Sequence, residues 1–181
     1  MDGESCIRKA YDDILRGDFE GAIQWFELAI VADPNNAGYY HKCAVSCARS
    51  NKWLKAKQYA DVAGELEPDN EEYRFHAQFV YAKLLLEEAN VLLASAPPKL
   101  LEAADKLQQA VKLDPLSFDG FYMLAMIRFA EGDPETALAY AREALLLDPQ
   151  HATAKRLFAD IKRKLRKNKK TNRSTLHRDK R

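Results

Sequence analysis

The sequence predicts an all-α protein, a right-handed superhelical solenoid of four helix–turn–helix units closed by a capping helix. Three observations carry that prediction. Asp/Glu-Pro pairs recur at Asp33-Pro34, Glu67-Pro68, Asp114-Pro115 and Asp148-Pro149, with intervals of 34, 47 and 34 residues. A fixed period of this size marks stacked repeats. Between the marks, apolar residues fall on one face at helical spacing, as with Ala22, Ile23, Phe26, Ala29 and Ile30, and again with Ala137, Leu138, Ala141, Ala144 and Leu145. Helix stops sit midway through the units: Gly17-Asp18, Asn51 and Gly132-Asp133. Gly and Asn accept the left-handed conformation that ends a helix, and Asp caps the next one.

The elements follow in order. The first unit, about 3–36, holds helices at 4–16 and 19–32. The second, 37–70, holds helices at 37–50 and 53–66. The third, 71–117, holds a long helix at 71–95 and a second at 99–113, separated by Pro97-Pro98. The fourth, 118–150, holds helices at 118–131 and 134–147. Pro at each unit boundary cannot continue a helix and turns the chain. A capping helix at 151–167 shows Ala154, Leu157, Phe158, Ile161 and Leu165 on one face, with Lys and Arg around the rest. Residues 1–167 thus read as one repeat domain, and 168–181 as a basic, disordered tail.

The units resemble tetratricopeptide repeats. The match is fullest in the second helix of each: Phe19, Ala22, Phe26, Ala29 and Pro34; Trp53, Ala56, Ala60, Ala63 and Pro68; Leu100, Ala103, Leu107, Ala110 and Pro115; Pro134, Ala137, Ala141, Ala144 and Pro149. The first-helix pattern is good in unit two (Tyr40, Cys43, Ala44, Cys47) and unit four (Phe121, Leu124, Ala125). It is poor in unit one, where Cys6, Lys9 and Asp13 fill the slots. The resemblance covers about residues 4–149 and implies a non-catalytic scaffold or adaptor that holds a peptide or helix of another protein in its concave groove. Groove-facing residues, one turn off the core slots, are Ile7, Tyr11, His41, Val45, Phe75, Phe79, Lys83, Tyr122 and Met126, with Lys42 and His76 beside them. Aromatic and Met side chains with a few cations suit an amphipathic segment.

Some members of that family clamp the acidic C-terminal tails of heat-shock chaperones with Lys, Asn and Arg. The matching positions here are Ile7, Tyr11, Lys42, Glu72 and His76. Lys42 is the one standing cation and Glu72 would repel a carboxylate, so the sequence argues against that clamp. A chaperone-associated module is the second reading that the resemblance implies.

The third unit departs from the period by 13 residues. At ~1.5 Å per residue they add about 20 Å of helix. Leu85, Leu92 and Leu93 would then project as an apolar ledge for a partner or a second copy, or be covered by the chain itself.

Composition narrows the function classes. The chain is 47% hydrophobic and 30% charged over 181 residues, ordinary for a folded domain. The N-terminus has no basic segment followed by an apolar run, and no apolar stretch approaches the ~20 residues that span a bilayer. A cytoplasmic protein with reduced thiols is expected. Cys43 and Cys47 lie one turn apart but fill core slots, where Cys behaves as a small hydrophobe; metal binding is the minor alternative. His41, His76, His151 and His177 form no ligand set, and no phosphate-binding loop or nucleophile motif occurs. No enzyme activity, metal or cofactor is expected. The net charge of +1 hides a split: Lys155–Arg181 carries about +11, the remainder about −10. Lys162, Arg163, Lys164, Arg166 and Lys167 therefore offer a phosphate-backbone or anionic-membrane contact, and polyanion association with nucleic acid or the ribosome is the third reading.

Overall fold

A computed structural model describes residues 2–178, with side chains through Asn168. Every described element is a helix: α1 (Gly3–Leu15), α2 (Phe19–Ala32), α3 (Ala37–Arg49), α4 (Trp53–Leu66), α5 (Glu71–Ala94), α6 (Leu100–Leu113), α7 (Phe118–Ala130), α8 (Pro134–Leu147) and α9 (Ala152–Arg178). The fold is all-α, built from helix pairs at the expected positions.

Local chemistry sets the turns. Gly17, Asn51 and Gly132 have φ of 78°, 56° and 84°, the left-handed stops expected at those positions. Asp18 and Asp133 then cap α2 and α8, accepting from the Gly21 and Thr136 amides at 2.8 and 3.1 Å. Each cap satisfies a donor that the helix cannot satisfy itself. After α5, Pro97 and Pro98 end the helix, and the Ala96–Pro97 peptide is cis.

The chain packs into two compact units, Met1–Leu84 and Leu85–Arg181, whose boundary falls within α5. In the first, α1 pairs with α2 and α3 with α4, and α2 packs on α3. Cys6, Ile23, Phe26, Cys43, Cys47 and Val80 form its core. The two Cys of α3 thus sit in apolar core slots, as their spacing suggested. In the second unit α7 pairs with α8, and both touch α9. Ala125, Ala137, Ala141 and Ile161 are the buried centre, with Leu157, Phe158 and Leu165 of α9 against them. Alanines at the contact points let helix backbones approach closely.

Two details go beyond the sequence reading, which had left the extension of α5 either projecting or covered. Leu85 does not project: it is 1% exposed, and Leu92 and Leu93 are half-buried. α6 returns antiparallel along the extension of α5, beside Glu88 and Leu92. Lys106 Nζ lies 2.6 Å from Glu88 Oε2, and the Lys99 amide donates to the Leu92 carbonyl at 3.1 Å. The extra length is therefore packed against α6, and Val91, 71% exposed, is the apolar side chain that it leaves outside. Second, α9 does not stop at residue 167; its backbone stays helical to Arg178. No Gly or Pro occurs after Pro149, so the sequence holds no strong helix stop. Of the tail that the sequence suggested to be disordered, residues 179–181 lie outside the described residues.

Candidate functional site

The first unit contains a cleft of 370 Å³ lined by Tyr11, Ile14, Phe26, His41, Lys42, Val45, Ser46, Arg49, Glu72 and Tyr73. It is the face of α1, α3 and the start of α5. Residues four apart on one helix share a face, which is why His41, Val45 and Arg49 line it together. Phe26 forms the floor, and Tyr11 stands edge-on to it with ring centres 6.2 Å apart. Lys42 Nζ reaches the Gly38 carbonyl at 3.5 Å, and the Arg49 guanidinium lies 5.7 Å from the centre of the Phe19 ring.

One wall is a ring cluster. His41 stacks on Tyr73 at 4.6 Å and meets His76 edge-on at 5.1 Å. Its Nε2–H donates to Glu72 Oε1 at 3.3 Å. The Nδ1 atoms of His41 and His76 are buried and have no hydrogen-bond partner among the described residues. Burial pushes both imidazoles down from the ordinary histidine value. For His41 the Glu72 carboxylate opposes that shift without cancelling it. His76 falls to about 4, through burial and then the neighbouring His41. Both rings are neutral at pH 7, so the charges of the cleft are Lys42 and Arg49 against Glu72.

Behind this face, a polar tie joins α2 to α4. Glu27 Oε1 accepts from Tyr59 Oη at 2.7 Å and pairs with Lys55 Nζ at 2.5 Å. Cys43 and Cys47 are fully buried beside it, and the hydrogen bond to Cys47 and burial raise the Cys43 thiol pKa. Among the described residues no group of three or more His, Cys, Asp or Glu is placed to hold a metal ion.

The cleft brings together four of the residues singled out in the sequence: Tyr11, His41, Lys42 and Val45. Phe75, Phe79 and Lys83 are in the same unit but outside it. Phe75 is 59% exposed beneath the Arg74 guanidinium, and Phe79 packs edge-on to Trp53 at 6.1 Å with Lys83 Nζ 5.3 Å from its ring centre. Tyr122 and Met126 belong to the second unit. Tyr122 stacks on Phe118 at 5.7 Å, with His151 beside both rings, and Met126 is exposed. Sequence reasoning missed Ile14, Ser46, Arg49 and Tyr73 as lining residues. The helical repeat from Val45 could have found Arg49. Tyr73 depends on where α5 sits against α3, for which no local signal exists.

On α9, Lys162, Arg163, Lys164, Arg166 and Lys167 are all exposed. Lys162 Nζ lies 4.5 Å from the centre of the Phe158 ring, and Arg163 pairs with Asp160. Phe129, Asp160, Arg163, Lys164 and Lys167 line a second cleft, of 350 Å³.

These features define a helical-repeat protein with a lined cleft on the faces of its first helices. A tetratricopeptide repeat model matches residues 86–152. Among solved structures, the MamA protein aligns with a TM-score of 0.50 at 18% identity, covering 91% of this chain and 88% of that one. A MamA RS-1 double mutant aligns at 0.53 and 16%, covering 92% and 96%. MamA 41-end from Desulfovibrio magneticus RS-1 aligns at 0.50 and 16%, covering 83% and 97%. Such identities establish the fold alone. No curated protein matches the sequence. The tetratricopeptide-repeat match is thus to residues 86–152, and the likeness of the rest of the chain to these structures is one of all-α fold.

Proposed function

We propose that the chain is a non-catalytic adaptor that holds an extended or helical segment of a partner protein in the cleft of its first unit. The observation that supports this reading most is the composition of that cleft. Tyr11, Ile14, Val45 and the Phe26 floor offer apolar contact, and Lys42 and Arg49 stand beside them. A segment that suits it carries an apolar anchor flanked by an acidic residue, because neutral His41 and His76 leave two cations facing one carboxylate. Glu72 is occupied by His41, yet its charge still disfavours a bare chain-terminal carboxylate near α5. The reading is therefore a mid-chain segment rather than an acidic C-terminal tail.

Selection from a random-peptide library tests this. Peptides recovered by the wild-type chain are expected to carry that pattern and to lose about tenfold or more in affinity, about 1.4 kcal/mol, against Val45→Glu and Lys42→Glu. Phe75→Ala, outside the cleft, is the control expected to bind normally. Recovered peptides that bind all three variants equally would place the recognition surface elsewhere.

A further inference from the structure

We propose that α9 is a contact for double-stranded DNA, lying in the major groove with Lys162 toward one wall and Lys164 and Lys167 toward the other. The apolar side of the helix is already used. Leu157, Phe158, Ile161 and Leu165 pack on the second unit's core. From Arg166 to Arg178 the sequence has one apolar residue, Leu176. A helix that binds a membrane surface buries an apolar face among the lipid chains. This one has none left to bury.

The distribution of charge decides between a plane and a groove. At about 100° per residue, Lys162 and Lys164 stand about 200° apart, and Arg163 and Arg166 fill the side between them. A flat anionic surface can touch one side of a helix. A groove has phosphates on both. The major groove of B-form DNA is about 12 Å wide and admits a helix about 10–12 Å across. The deep, narrow major groove of an RNA duplex does not.

Acidic residues offset little of this charge. Asp160 is the one acidic residue from Ala152 to Arg178, and it is paired with Arg163. Lys164 and Arg166 make no ion pair among the described residues. The cleft that Phe129 shares with Asp160, Arg163, Lys164 and Lys167 leaves 350 Å³ of open space beside the helix, with three cations to one carboxylate. Phosphates alone would give affinity without sequence preference.

Fluorescence anisotropy of the full chain with labelled DNA duplex, RNA duplex of the same length, and flotation with phosphatidylserine vesicles tests the assignment. With four or five phosphate contacts, DNA affinity should fall roughly 10²–10³-fold between about 50 and 200 mM salt. The triple variant Lys162→Gln, Lys164→Gln, Lys167→Gln should lose about tenfold or more, and the corresponding Lys→Arg triple should retain binding. Circular dichroism melts establish that each variant folds. DNA should bind more tightly than RNA. The proposal is overturned by an absence of DNA binding at low salt, by undiminished binding in the Gln triple, by equal binding of the two duplexes, or by binding to vesicles without DNA.

Discussion

His41 and His76 are the residues whose chemistry the sequence shows least. Two scattered histidines give no local sign that their rings meet at 5.1 Å with both Nδ1 atoms buried. Burial lowers both pKa values in the folded chain, that of His76 to about 4, so between that value and about 6.5 the unfolded chain binds more protons. Stability is therefore full above pH 6.5 and falls as the pH drops toward 4. Thermal unfolding across this window should show a falling midpoint, and His76→Phe should flatten the fall. A slope unchanged in His76→Phe would mean that other groups set it. The three thiols lead to a simpler expectation. Cys6, Cys43 and Cys47 are at most 2% exposed, so a thiol reagent should modify the native chain slowly and all three quickly in denaturant.

At the scale of elements, most helix boundaries were legible because their causes are local. Gly17, Asn51 and Gly132 end helices by adopting φ values that few residues tolerate, and the Asp that follows Gly17 and Gly132 can be read directly. Leu85 and the end of α9 are the two places where the simplest local reading fell short. α6 folds back beside Glu88 and Leu92 of α5, a fact about a partner helix that the spacing of Leu85 does not show. The α9 backbone runs past residue 167 because nothing in its polar composition stops a helix. Glycines within helices separate close approach from open space. A Cβ on Gly120 would lie 2.6 Å from Val111 Cγ1, where α7 meets α6, whereas a Cβ on Gly64 of α4 meets nothing within 4 Å. Gly120→Ala should destabilise by about 1–3 kcal/mol through overpacking. Gly64→Ala should stabilise by about 0.5–1 kcal/mol through helix propensity. Urea unfolding of the two variants measures both signs, and the reverse order would contradict the packing described.

For the whole molecule, the repeat period carried the fold class and the broken interval carried the exception. The 47-residue interval is the longer α5, packed against α6. The groove residues were legible in proportion to how local their placement is. Tyr11, His41, Lys42 and Val45 converge because α1 and α3 are neighbours in adjacent units of the period. Phe75 and Phe79 do not join them, since Phe79 is held by Trp53 of α4 and Phe75 turns toward Arg74. Charge is arranged on the same scale: an acidic repeat body and a basic last helix. No described helix is long and apolar enough to cross a membrane.

The central claim is that the cleft lined by Tyr11, Val45 and Lys42 holds a segment of a partner protein. Site-specific photo-crosslinking in cells that make the protein tests it most directly. A photoreactive residue at Val45 should yield a covalent adduct to one segment of one partner, and the same residue at exposed Leu54 of α4 should not. The adduct should disappear on adding Lys42→Glu. Equal adducts from both positions, or none from Val45, would contradict the account.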